Sequence, residues 1–179
     1  VNPEPTSCRQ TILSPDRVYR YTLWREWDVD SITGCSDDLP KVDGYAMFIG
    51  LNPSTADETK DDPTIRKCIG FSKRWGYGAL CMTNLFAVRD TSPASMRRHP
   101  EPEGCDNHHH LLQRSSQASI VIAAWGVNGR HRNRDLTVLQ WLNGIGVKTH
   151  CLRTTKHGFP EHPLYVPYEV VPKLYAPHG

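Results

Sequence analysis

The sequence predicts an α/β domain with a central, mainly parallel sheet of about four strands. Short apolar runs alternate with segments whose apolar residues recur at helical spacing, the pattern of strand–helix–strand units with right-handed crossovers. The run SIVIAAW, residues 119–125, is apolar almost throughout, as suits a strand covered on both faces. Polar residues follow each apolar run, which gathers hydrogen-bonding groups at the carboxyl ends of the strands, where such sheets bind ligands.

Residues 1–16 are polar and carry prolines, and read as a flexible N-terminal arm; residues 17–179 read as a single domain with room for one core. The stretch RVYRYTLWREW (17–27) alternates and is rich in aromatics, so it reads as a strand, followed by a loop or hairpin connection through 28–44. A strand is expected at 45–51. The next segment, about 63–75, is helical: Ile65, Cys68, Ile69 and Trp75 form one stripe, with Arg66, Lys67, Lys73 and Arg74 mostly on the other side. The series continues with a strand at 79–85, a helix at about 104–117 and a strand at 119–125. A helix at about 133–143, striped by Leu136, Leu139 and Leu142, precedes a strand at 147–153.

Hydrophobic content of 38% and charged content of 22% describe a globular chain, not a disordered one. Apolar runs such as Ile120–Trp125 are far too short to span a bilayer, and VNPEPTSCRQ shows no leader pattern. The six cysteines form no C-x-x-C pair, so neither a disulfide framework nor a four-cysteine metal site is expected, and the cytoplasm is the expected compartment. His108-His109-His110 point around a helix, not at one centre, and no metal is expected there. There is no G-K-S/T phosphate loop and no G-x-S-x-G nucleophile signature. A net charge of +2 identifies no partner, but Lys73-Arg74, Arg97-Arg98-His99 and Arg130-His131-Arg132-Asn133-Arg134 are clusters that a phosphate-tracking surface would use.

The polar residues after the strands are specific. The strand at 45–51 runs into Asn52-Pro53-Ser54, and the strand at 79–85 holds Asn84 with Arg89 nearby. The run 119–125 ends on Trp125, and 147–153 leads to Lys156, His157 and His162-Pro163. Pro53 holds Asn52 rigidly where no helix needs it. Asp62-Pro63 reads equally as a helix N-cap with proline at the first helical position, or as a carboxylate of the site.

Gly50-Leu51-Asn52-Pro53 resembles the Gly-Ile-Asn-Pro signature of the mismatch-specific and thymine-DNA glycosylase branch of the uracil-DNA glycosylase superfamily. Met82-Thr83-Asn84-Leu85 with Arg89 resembles that branch's Thr-Asn segment, and His162-Pro163 resembles the superfamily's second motif. NPSTAD, DDPT, NLF and HPLY together resemble a bacterial domain-of-unknown-function family, over roughly residues 17 to 168. The resemblance implies a three-layer α/β/α sandwich and a monofunctional, monomeric DNA glycosylase without cofactor or obligate protein partner. It implies hydrolysis of the N-glycosidic bond of a flipped-out pyrimidine, in base-excision repair or against hypermodified foreign DNA.

On that resemblance Asn52 orients a water through its carbonyl oxygen. An amide is no base, so Asp57, Asp61 or Asp62 supplies the carboxylate, with Asp62 preferred. Gly50, Leu51, Pro53, Ser54, Asn84 and Trp125 line the base pocket, Asn84 reads the base edge, and His162 donates to a base oxygen or a phosphate. Leu164 or Tyr165 is the wedge. Arg66, Arg89, Arg130, Arg132, Arg134, Lys156 and His157 grip DNA. Where uracil-specific members carry a bulky aromatic, Ser54, Thr55 and Ala56 are small, which implies a pocket open to larger 5-substituted pyrimidines; the iron–sulfur cysteines of some members are absent. Two other readings stand beside this one: a hydrolase or transferase of free nucleosides or nucleotides, and a non-catalytic nucleic-acid binding module.

Overall fold

The computed structural model describes residues 8–27 and 44–177. The connection expected at 28–44, apart from its last residue, lies outside the described residues, as do residues 1–7 of the arm. In chain order the elements begin β1 (Arg9–Leu13), β2 (Arg20–Glu26), β3 (Tyr45–Gly50), α1 (Pro63–Arg74) and β4 (Ala79–Asn84). There follow α2 (Pro93–Arg98), α3 (Asn107–Gln117), β5 (Ile120–Ala123), α4 (Arg134–Gly144), β6 (Thr149–Cys151) and β7 (Lys173–Leu174). Short 3-10 turns cover Val127–Asn133 and Pro163–Tyr165.

The chain is mixed α/β, and its sheet has seven strands in the order β1-β2-β4-β3-β5-β6-β7. Pairs β4–β3, β3–β5 and β5–β6 are parallel, whereas β1–β2, β2–β4 and β6–β7 are antiparallel. The mainly parallel sheet of about four strands is therefore corrected to a mixed seven-strand sheet. Two of the added strands had no usable pattern. β7 has two residues, and β1 lies in the polar segment read as a flexible arm. Residues 9–13 of that arm are an edge strand, because RQTIL pairs along β2 from Arg9 opposite Arg25 to Leu13 opposite Arg20. Cys8, just before it, is disulfide-bonded, a departure from the reduced set of cysteines expected. Among the described residues no helix is long and apolar enough to cross a membrane.

Strand periodicity divides the core in two. Met47 and Ile49 of β3 pack in one cluster with Leu111 of α3 and with Val138 and Leu142 of α4. Ala46 and Phe48 pack in the other with Ile65, Cys68 and Phe71 of α1. Helix α1 starts where its sequence says it should: Asp62 Oδ1 accepts from the Ile65 N–H at 2.9 Å, and Pro63 occupies the first turn. It ends at Gly76, whose φ of +83° provides the left-handed residue that closes the last turn, its N–H donating to the Lys73 carbonyl at 3.1 Å. Helix α2, with six residues, is too short to leave a periodic signal; Ser92 caps it.

One irregularity matters for the site. In the β1–β2 ladder Ile12 faces Thr22 but Leu13 faces Arg20, so Tyr21 is an extra residue on β2. Such a bulge re-aims the side chains beyond it. Tyr21 stacks on His110 of α3, with ring centroids 5.1 Å apart, while Arg20 turns the other way and donates from Nη1 to the Ala56 carbonyl at 2.8 Å.

Phe48 is fully buried in the centre of β3, with its ring parallel to Trp75 at 5.8 Å and tilted on Phe71 at 6.5 Å. Phe48→Ala is expected to cost about 3–5 kcal/mol. Urea unfolding measures it, and a loss below about 1 kcal/mol would contradict this packing.

Candidate functional site

Beyond the carboxyl ends of β3 and β4 lies a cavity of about 440 Å³. It brings together Gly50, Leu51, Asn52, Ser54, Asp62, Asn84, His162 and Tyr165, residues that lie far apart in the chain. After β3 and β4 the chain stays paired, because the Phe86 N–H donates to the Leu51 carbonyl and the Asp90 N–H to the Pro53 carbonyl, each at 2.9 Å.

That pairing sets Asn52. Its Nδ2 donates to the Asp90 carbonyl at 2.7 Å and to the Pro53 carbonyl at 3.1 Å. Two carbonyls around one end of the amide require the nitrogen there, so the orientation is fixed chemically. Oδ1 has no hydrogen-bond donor among the described residues, and the residue lines the cavity.

Asn84 is 1% exposed, and neither its Oδ1 nor its Nδ2 has a partner among the described residues. An orphaned buried amide costs about 1–3 kcal/mol for each unsatisfied group. Its backbone is braced instead: Asn107 Nδ2 donates to the Asn84 carbonyl at 3.1 Å and the Leu85 carbonyl at 3.0 Å, and Arg134 Nε also reaches Leu85 at 3.0 Å. Gly50 faces Asn84 across the ladder, and a Cβ there would lie 2.8 Å from Asn84 Oδ1. Only glycine leaves the amide its place.

His162 accepts the Leu164 N–H on Nδ1 at 3.4 Å. Burial pushes its imidazole below the ordinary value, with Asp62 opposing, so it is neutral near pH 7. With Nδ1 accepting, the proton sits on Nε2, a donor without a partner among the described residues. Of the acidic candidates, Asp61 is tied to Arg25 at 2.8 Å and Arg9 at 2.9 Å, and Asp57 Oδ1 accepts from Thr59 and Lys60 within its own turn. Asp62 alone of the three lines the cavity. It is also the cap of α1.

Several expected site residues lie elsewhere. Trp125 is buried in the cluster on the opposite face, edge-on to Tyr175. Pro53 is buried beneath the loop. Of the small residues after it, Ser54 lines the cavity, Thr55 is exposed, and Ala56 is buried with its carbonyl on Arg20. Arg132 pairs with Glu103 at 3.2 Å, Arg66 donates to the Asp61 carbonyl, and Arg89 reaches the Arg17 carbonyl. Arg134 supports Leu85 and lies over Trp141. Arg130 and His157 line a separate hollow of about 490 Å³; Lys156 is exposed beside it. Leu164 is exposed but does not line the cavity, whereas Tyr165, 73% exposed, does.

Eight lining residues escaped the sequence reading: Thr64, Ile65, Met82, Thr91, Pro93, Asn128 and the two charged ones, Arg20 and Asp90. Arg20 is 2% exposed on β2, and Asp90 holds Asn52 through its carbonyl while hydrogen bonds from Ser95 and Ser92 keep its carboxyl below the usual range. Asp90 sat in plain view after NLFAVR, and its spacing from Asn84 gave no reason to choose it. Arg20 has no sequence signal, since the bulge that aims it breaks the alternation.

Burial also lowers His110 and His131. All three imidazoles take up protons more readily unfolded than folded. Their contribution to stability is present above the ordinary value near 6.5 and is lost as pH falls toward their depressed folded values. The carboxylates held low, Asp16, Asp57, Glu58 and Asp90, act only at more acid pH. Thermal melts are expected to lose midpoint between about pH 7 and pH 5, and His162→Gln is expected to reduce that slope. An unchanged slope would contradict the burial of this imidazole.

No curated protein and no solved structure matches the chain. A family model matches residues 20–164, a span that opens on Arg20, ends on Leu164, and holds all the cavity residues but Tyr165. The chain belongs to the DUF1643 family, described as a protein of unknown function.

Proposed function

We propose that the protein is a DNA glycosylase of the uracil-DNA glycosylase type, with a three-layer α/β/α arrangement around its central strands, acting on a modified or mismatched pyrimidine. The observation that carries this reading is Asn84, a buried amide with both ends unpaired on the wall of the cavity. A pyrimidine edge offers an adjacent N–H and C=O, which such an amide pairs in both directions. The cavity, at about 440 Å³, has room for a base with a substituent at its 5-position.

The remaining groups fit the chemistry. Asn52 Oδ1 holds the attacking water, and the Asp62 carboxylate receives its proton. His162 Nε2–H donates to a base oxygen as negative charge grows there. Tyr165, exposed at the rim, fills the gap left in the duplex, with Leu164 beside it. The enzyme acts as a monomer without cofactor, in the cytoplasm, in base-excision repair or against modified foreign DNA.

A second reading gains from the arginines. Arg66, Arg89, Arg132 and Arg134 are engaged by their own chain, so these four are not free cations. A hydrolase or transferase of free nucleosides would need none.

Base release is the measurement. DNAs carrying uracil, thymine mismatches, 5-hydroxymethylcytosine or its glucosylated form are read as alkali-labile abasic sites, beside the matching nucleosides. One base is expected to be released from DNA, about 100-fold or more slowly with Asn52→Ala, because misplacing a reacting water by 1 Å costs that much. Release from nucleosides alone would replace this reading with the second. Asp62→Asn separates cap from carboxylate. Asparagine caps as well as aspartate, so the melting midpoint is expected to hold while the rate falls about 10²–10⁴-fold. A variant with full rate would leave Asp62 as a cap only.

A further inference from the structure

The β2 bulge leaves in the cavity wall a cation with no direct ion pair among the described residues. Arg20 is 2% exposed, lines the cavity, and makes no ion pair among the described residues. Nη1 donates to the Ala56 carbonyl at 2.8 Å, and Nε is buried without a partner. Arg25, on the same strand, shows what a satisfied buried guanidinium looks like. It pairs with Asp61 at 2.8 Å and donates to the carbonyls of Trp24 and Asp57. Asp62 shares the cavity with Arg20 but spends Oδ1 on the cap of α1. Burial pushes the Arg20 guanidinium down to about 10, with the more distant Asp62 and Asp57 charges opposing, which still leaves it cationic at neutral pH. A buried charge without a direct partner is destabilising, and the Asp62 carboxylate, held to the cap, offsets that cost only in part.

We propose that the cavity is built to receive its ring ligand as an anion, with Arg20 supplying the opposing charge and Asn84 gripping the ring's amide edge. This deepens the glycosylase reading and rests on it for the identity of the ring, but not for the charge. In hydrolysis the C1′–N1 bond breaks with its electron pair left on N1, from which it spreads onto the ring oxygens. The water oxygen bonds to C1′, one water proton passes to the Asp62 carboxylate and on to solvent, and the departing base anion takes its proton from solvent. The class of base favoured is one that leaves as a delocalised anion, as pyrimidine-diones do. Arg20 meets that charge inside the site, in a low-dielectric wall where it counts most.

The test separates charge from chemistry. Calorimetry with the whole protein near pH 7 compares 5-nitrouracil, which is ionised at neutral pH, with uracil, which is neutral. The wild type is expected to bind 5-nitrouracil about 30-fold more tightly than uracil. Arg20→Met is expected to abolish the preference while holding uracil affinity within about 3-fold. Arg20→Gln, whose amide can still donate to the Ala56 carbonyl, is expected to do the same if the methionine variant does not fold. No preference in the wild type, or a preference that survives loss of Arg20, would overturn the inference. Base release from the DNA panel distinguishes the two readings. A preference that depends on Arg20, with no base released from any DNA, removes the glycosylase and keeps the anion receptor. A wild type that shows no anion preference yet releases base, at a rate that Arg20→Gln leaves unchanged, does the reverse.

Discussion

Parallel pairing of β3 with β4 sets Gly50 opposite Asn84 and carries both strands out of the sheet at the same rim. The register is fixed by burial on both faces, since Met47 and Ile49 belong to one core cluster and Ala46 and Phe48 to the other. A slip of one residue would exchange every side chain between the faces. The same register brings the two chain exits close enough to remain hydrogen-bonded as far as Asp90, and this locks Asn52. The floor of the cavity is thus a consequence of how the central ladder is packed.

The cavity wall is assembled from opposite chemical types for a physical reason. Asn84 and Arg20 are almost wholly buried and short of partners, which costs stability. Asn52, Asp62 and His162 each spend part of their bonding on the backbone and keep one group over. Asn52 keeps its carbonyl oxygen and His162 its Nε2–H. Side chains held at one end and free at the other are positioned without being satisfied. A ligand entering such a site finds groups already oriented, so little ordering entropy is lost on binding.

Much of the rim was legible because strands in parallel contact deliver their following residues to one place. Asn52, Asn84, Asp62 and His162 line one cavity for that reason. Trp125 lies away from the cavity by parity: Ala124 belongs to the cluster beside the cavity and Trp125, one residue on, to the opposite face. A run of basic residues does not say which of them are occupied. Arg132 finds Glu103, 29 residues back, and Arg134 finds the Leu85 carbonyl, 49 residues back. The outer strands escaped for want of pattern, β7 having two residues and β1 lying in a polar, proline-bearing segment.

Arg20 shows where such reading fails in principle. Alternation along β2 places Arg20 with Thr22 and Trp24, on the side of α3, away from the cavity. The extra residue Tyr21 reverses that assignment and sends the guanidinium to the side of α1 and Ala56. Nothing in RVYRYTLWREW announces the bulge, which shows in the pairing with β1, and β1 is itself hidden in the arm. The edge strand therefore does more than extend the sheet. By forcing two residues of β2 against one of its own, it decides on which face a buried positive charge emerges, and so the electrostatic character of a site three strands' width from the opposite edge of the parallel core.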